Sequence, residues 1–285
     1  MASETNGDKN LALFCDFENV ALGVRDAKYA KFDIQLVLER LLLKGSIVVK
    51  KAYCDWERYK QFKPVMHEAA FELIEIPHTR QSGKNSADIR MVVDALDLCY
   101  TKEHIDTFVC ISGDSDFSPL VSKLRENAKT VIGVGVKNST SDLLISNCDE
   151  FIYYDDLVRD SQSAQNREKK RAPKKPAKTA AKKTQPAKQE EKQEEKQDDD
   201  RSDAAIELVL DTAEDLASER GVGDKLWASM IKQTLKRRRP GFHESFYGFR
   251  SFSDLLEEAE NRGQLELEMD DRSGSYVIRA LTRDD

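Results

Sequence analysis

Six short apolar runs punctuate the first half of the chain: LALFCDF (11–17), SIVVKKAYC (46–54), FELIEI (71–76), DTFVCIS (106–112), TVIGVGV (130–136) and EFIYY (150–154). Each is rich in β-branched or aromatic residues, as a buried strand should be. Between the first two lies KFDIQLVLERLLLKG, where Ile34, Val37, Leu38, Leu41 and Leu42 recur at i, i+3, i+4, i+7 and i+8. That spacing predicts an amphipathic helix, with Asp33 to cap its start and Gly45 to stop its end. Repeated strand-helix alternation calls for crossover connections, which parallel strands need. The expected fold is therefore α/β, a mostly parallel sheet covered on both faces. Ligands of such sheets bind at the carboxyl ends of the strands.

Acidic residues gather at those ends. Asp16 closes the first run, and Asp114 and Asp116 follow the fourth in SGDSDF. SADIRMVVDALDLCY reads as a helix with Ser86 near its N-cap. Running back from a parallel strand, such a helix turns its N-terminus toward the strand carboxyl ends. Asp88 then lies in the first turn, and Asp94 about 9 Å further down the axis at ~1.5 Å per residue. Each aspartate has an ordinary reading: a turn residue at Asp16 or Asp114, a complement to the helix dipole at Asp88, a cap at Asp116 for the helix that Pro119 begins. Four on one edge are different, because clustered like charges raise one another's pKa unless a cation neutralises them. Oxygen donors of this kind suit Mg²⁺ or Mn²⁺. A carboxylate-held metal suits phosphodiester hydrolysis, and neither a Ser-His-Asp arrangement nor a G-x-x-x-x-G-K loop competes.

The net charge of -7 conceals a polarised distribution. Residues 1–160 carry 20 basic and 26 acidic side chains, residues 167–188 carry 10 and 1, and residues 190–203 carry 3 and 8. From Ser161 to Asp203 there is no aromatic residue and no Val, Ile, Leu or Met. A stretch that cannot bury apolar surface is expected to be a disordered linker, and its Lys/Ala/Pro part resembles the tails of chromatin- and RNA-associated proteins. The five cysteines are scattered, with no C-x-x-C pair, and the four histidines stand apart, so buried thiols are expected and zinc is not. No run approaches the length of a membrane span and the first residues are polar, which points to a soluble cytoplasmic protein with no membrane partner.

Residues 204–282 resume a folded pattern: three helices in AIELVLDTAEDLA, DKLWASMIKQTLKRR and FSDLLEEAENRG, then a hairpin of QLELEM and SYVIRAL. Helices followed by a hairpin suggest a small α+β winged helix. Phosphate contacts are expected from Lys232, Lys236, Arg237, Arg238, Arg239 and Arg250, with a solvated helix end as the competing explanation. Phe242, Phe246, Tyr247, Phe249 and Phe252 are expected in the core, which a unit this small needs. In the first half, Arg80 and Lys84 of HTRQSGKNS are candidates for phosphate contact or for a plain solvated loop. Helix capping is the simpler account of Ser139, Thr140 and Ser141.

FCDFENV, GKNSADIRMVVDAL and ISGDSDFSPLV together resemble the NYN domain, a LabA-like branch of the PIN-like nucleases, over about residues 10–157. The resemblance implies a PIN-like Rossmannoid sandwich that cleaves RNA with Mg²⁺ or Mn²⁺. It assigns the metal to Asp16, Asp88, Asp114 and Asp116, a supporting polar role to Asn19, and the positioning of the following loop to Ser112. PGFHESFYGFRSFSDLL resembles the LOTUS (OST-HTH) domain, implying RNA binding or docking of a protein partner. The expected organisation is a nuclease domain at 10–160, a linker at 161–203 and a LOTUS winged helix at 204–282. The expected function is a metal-dependent endoribonuclease acting on RNA, with a homodimer as a possible assembly. A non-catalytic RNA-binding adaptor with the same two domains is the alternative.

Overall fold

The computed structural model describes residues 9–29, 31–76, 86–171, 188–219, 225–270 and 274–281. The chain divides into two compact units, Met1–Arg167 and Glu168–Asp285. In the first unit six strands, β1 (Asn10–Asp16), β2 (Ser46–Cys54), β3 (Glu72–Glu75), β4 (Thr107–Ile111), β5 (Thr130–Gly135) and β6 (Glu150–Tyr153), form one sheet in the order β3-β2-β1-β4-β5-β6. Every pairing in it is parallel, as the strand-helix alternation required.

Side chains of a strand alternate between faces, and the core divides accordingly. Leu11, Leu13 and Cys15 pack on one side with α1 (Phe17–Asp26), α2 (Ile34–Leu42), α3 (Lys63–Glu68) and the start of α7 (Tyr154–Arg171). Ala12 and Phe14 pack on the other with α4 (Ser86–Thr101), α5 (Ser118–Glu126) and α6 (Asp142–Asn147). The amphipathic helix is α2, with Ile34, Val37, Leu38 and Leu41 buried and the Asp33 carboxylate accepting from Gln35 N at 3.0 Å. One boundary differs from expectation. Phe17, read as the last strand residue, begins α1, because Asp16 caps that helix directly; its ring then packs against Phe32, Trp56 and Phe62.

The stretch expected to be a disordered linker is corrected in part. α7 continues to Arg171, and α8 (Lys188–Glu219) begins well before Asp203. Lack of apolar residues prevents a core, not a helix, and the Glu, Gln and Lys of QEEKQEEKQ are strong helix formers with no Gly or Pro among them. Residues 172–187, which hold much of the basic block, lie outside the described residues.

In the second unit α8 is followed by β7 (Leu226–Trp227), α9 (Ala228–Arg238), α10 (Phe252–Asn261), β8 (Leu265–Met269) and β9 (Tyr276–Leu281). Its antiparallel sheet has the order β7-β9-β8. Helices before a hairpin agree with the winged-helix pattern. Leu226 and Trp227, expected inside the second helix, instead pair with Ile278 and Val277, so the helix starts only at Ala228. Phe242 and Phe252 are buried, and Tyr247 and Phe249 pack on the same core, which makes them structural. Among the described residues no helix is long and apolar enough to cross a membrane.

Candidate active site

The strand order reverses between β1 and β4, the place where an open parallel sheet leaves a crevice at its carboxyl edge. Asp16 ends β1 on one side of it, and Ser112, Gly113 and Asp114 leave β4 on the other. The two strand ends are tied together. Ser112 Oγ donates to Asp16 Oδ2 at 3.0 Å and accepts from Asp114 N at 3.2 Å. Asn19 N donates to the other Asp16 oxygen at 3.4 Å, and Asn19 Oδ1 accepts from Gly113 N at 2.9 Å. Gly113 allows a close approach: a Cβ there would lie 2.4 Å from Ser139 O. Ser141 N donates to Gly113 O at 2.9 Å, fixing the loop after β5 against this turn.

Two of the aspartates also have an ordinary structural role, which for Asp114 is the turn expected and for Asp16 a helix cap in place of a turn. Asp16 caps α1, and Asp114 accepts from Asp116 N at 3.0 Å to cap a 3-10 turn. A cap alone would leave Asp16 easy to ionise, because donated hydrogen bonds favour the carboxylate. Instead its carboxyl is pushed up to about 7 by burial and then by the Asp88 carboxylate, with Asp114 adding to the rise. The hydrogen bonds from Asn19 and Ser112 pull the other way and lose. Asp88, in the first turn of α4 as expected, is pushed up to about 6 by burial, then by Asp114, Asp116 and Glu18. Among the described residues no Lys or Arg figures in the leading influences on either group.

Asp94, six residues along the same helix, has the opposite environment. Tyr53 Oη donates to it at 2.9 Å, Arg90 Nε at 3.0 Å and Lys51 Nζ at 3.4 Å. Its charge is already matched, which is why position on the helix distinguishes the two aspartates.

In donor type and in unmet charge, Asp16, Asp88, Asp114 and Asp116 fit a hard divalent cation. Their spacing is wider than a coordination sphere: among the described residues no three His, Cys, Asp or Glu side chains are grouped closely enough to hold a metal. The four share an electrostatic field, with Asp16 buried, Asp88 and Asp114 half-buried and Asp116 exposed.

Glu18 is a member that sequence reasoning passed over. It stands in the first turn of α1, two residues after Asp16, raises the Asp88 pKa, and pairs with Arg58 Nη1 at 3.1 Å. Its place within FCDFENV, on the helix that leaves the site, was the available signal. Among the other candidates, Arg80 and Lys84 lie outside the described residues. Ser139 and Thr140 donate to Val136 O at 3.4 and 2.7 Å, and Ser141 Oγ accepts from Leu143 N to cap α6. In the second unit Lys232 pairs with Glu244 at 2.8 Å and Arg238 with Asp215, whereas Lys236, Arg237, Arg239 and Arg250 make no ion pair among the described residues.

Residues 10–156 match the NYN domain family. An uncharacterized protein of Methanocaldococcus jannaschii is 24% identical over 171 residues, covering 60% of this chain and 66%, just under two thirds, of that relative. A crystal structure of a Vibrio parahaemolyticus protein of unknown function covers 55% of this chain and 98% of its own at 27% identity, with a TM-score of 0.48.

Proposed function

From the premise that the chain belongs to the NYN domain family, and so to the PIN-like nucleases, we propose that it is a metal-dependent endoribonuclease. One observation carries the reading: carboxylates from separate segments crowd the switch-point crevice, Asp88 raising the pKa of Asp16 while Asp114 and Asp116 raise that of Asp88, with no compensating Lys or Arg among the described residues. Asp16, Asp88, Asp114 and Asp116 would hold Mg²⁺ or Mn²⁺. When bound, such a metal supplies a water acidic enough to attack phosphorus and a positive charge for the departing oxygen.

The protein's own groups prepare that chemistry. Ser112 and Asn19 hold Asp16 and the Asp114 turn in fixed register, so that the edge is assembled before substrate arrives. Asp16 and Asp88 are protonated more readily than ordinary carboxyls, and both must lose their protons to act as ligands. Arg80 and Lys84 would contact phosphate beside the site.

The same proposal gives residues 204–282 to a LOTUS (OST-HTH) module that binds RNA or docks a protein partner. Lys236, Arg237, Arg239 and Arg250 are its best phosphate contacts, since Lys232 and Arg238 are engaged in ion pairs. Residues 161–203 would tether it to the nuclease domain at 10–160. A cytoplasmic location and a homodimer complete the reading.

The wide spacing of the carboxylates favours one rival, an RNA-binding adaptor that does not cut. Incubating the purified chain with labelled RNA in Mg²⁺, Mn²⁺ or EDTA separates the two. Internal cleavage with either metal and none in EDTA is expected; RNA binding without cleavage in both metals would establish the adaptor.

A further inference from the structure

The helix that carries Asp88 is apolar on two opposite sides. Met91, Ala95 and Cys99 are buried in the core between α4 and the sheet. On the other side Ile89, Val93 and Tyr100 are 62%, 56% and 62% exposed, with Leu96 partly buried in the same row. The spacing i, i+4, i+7, i+11 draws a line about 16 Å long down the helix. A helix with one side on a sheet ordinarily turns polar residues outward. An outward apolar row marks an interaction surface.

The charges flanking the row say what kind. Arg90 and Asp97 stand two turns apart along it. Asp97 has no side-chain partner among the described residues, and Arg90, 57% exposed at its side chain, engages Asp94 only through Nε. One positive and one negative group placed symmetrically about the Val93–Asp94 level make the surface complementary to itself after a two-fold rotation.

We propose that this row is the interface of a homodimer in which α4 packs antiparallel against α4 of a second copy. The proposal deepens the homodimer named above and depends on no catalytic assumption. With the two-fold axis at the level of Val93 and Asp94, Arg90 of each copy faces Asp97 of the other. Ile89 enters the space between the other copy's Val93, Leu96 and Tyr100, as a knob enters a hole between antiparallel helices. In a parallel pair the two-fold axis would run along the helices and put these flanks on opposite sides of the contact, so that Arg90 and Asp97 would meet no partner; only the antiparallel arrangement brings them together. Each N-terminus of α4, with Asp88, then adjoins the other copy's α4 C-terminus. The two carboxylate edges point away from each other, about 16 Å apart along the helix axis.

Sedimentation velocity on the full chain between about 1 and 100 µM tests this without metal or RNA, so its result is independent of the nuclease reading. The expected result is a reversible dimer with micromolar Kd, as suits a small interface. Val93→Glu should weaken it by about tenfold or more, and Asp97→Arg should weaken it by placing Arg against Arg90. The double variant Arg90→Asp with Asp97→Arg should restore it to within about threefold. All five native cysteines are buried, so Val93→Cys, near the axis, should form an interchain disulfide on mild oxidation where the parent chain does not. Circular dichroism confirms that each exposed-site variant is folded. A chain that stays monomeric at 100 µM overturns the proposal. So does a dimer indifferent to both Val93→Glu and the charge swap.

Discussion

The carboxyl edge of the parallel sheet and the second unit handle charge in opposite ways. At the sheet edge Asp16 and Asp88 are pushed up to about 7 and about 6, each by burial and then by neighbouring carboxylates. In the second unit burial is the largest influence on Glu244 too, but Lys232, a backbone hydrogen bond and Lys236 together outweigh it and bring the carboxyl below its usual range, and the hydrogen bond from Arg279 lowers exposed Glu268. One region holds like charges together at a cost in stability. The other pairs opposite charges and is at rest. Residues that oppose folding, held in register by Ser112 and Asn19, are where a ligand of opposite charge should act.

The largest expected effect lies at the edge. Asp16→Asn or Asp114→Asn should lower metal-dependent cleavage by about 10³-fold or more with circular dichroism unchanged, since each removes an anionic donor. Asp94→Asn, on the compensated part of α4, should stay within about threefold of the parent. Equal losses in single-turnover assays of Asp16→Asn and Asp94→Asn would erase the contrast.

Next comes the pH dependence of the metal-free protein. Folded Asp16 keeps its proton up to about pH 7, whereas an unfolded aspartate loses it near 4. The folded state therefore binds more protons between these values, and stability should fall as pH rises from about 4 to 7, then level off. Asp16→Asn should remove most of this slope and make the metal-free chain more stable at pH 8 by about 1–3 kcal/mol. Urea unfolding at pH 4.5 and pH 8 with EDTA measures it; a parent stability that rises across this range, with the variant less stable at pH 8, contradicts the assignment. Metal binding by calorimetry should release protons and strengthen from pH 6 to 8.

A smaller effect separates the regions physically. A chain ending at residue 171, where α7 ends, should keep metal-dependent cleavage at high RNA concentration and bind RNA about tenfold more weakly. Neutralising Lys236, Arg237 and Arg239 in the full chain should lower affinity for all sequences alike. It should also flatten the salt dependence by up to about 0.7 for each phosphate that those side chains neutralise. A folded truncation that cuts no RNA would refute the division of labour.

The smallest belongs to the compensated charges. Arg238→Ala breaks an exposed pair with Asp215 and should cost at most about 1 kcal/mol in thermal unfolding. A loss several times larger would mean that the second unit is not at rest electrostatically.

Much of this was legible in the residues. The six strands fall within about two residues of the apolar runs; β1, β4 and β5 are plainest, because a strand buried on both faces has almost no polar positions to disguise it. The helix boundary at Phe17 was not legible, since one apolar run served the end of β1 and the start of α1 without a loop between them. The helical backbone on both sides of residues 172–187 was missed for another reason: the absence of a core was read as the absence of structure.

For the candidate site the division is similar. Local pattern alone placed Asp16 and Asp114 at strand ends and Asp88 in a first helical turn, since side-chain period and helix rise are properties of short segments. Only the tertiary structure set β4 beside β1, bringing Ser112 to within 3.0 Å of Asp16 across 96 residues of sequence. It also brought Tyr53 and Lys51 of β2 to Asp94, adding to the local i,i+4 pair with Arg90, while leaving Asp88 among carboxylates. A residue's type and local geometry follow from its neighbours in the chain. Its charge environment depends on burial and on groups from distant segments, which no local pattern encodes.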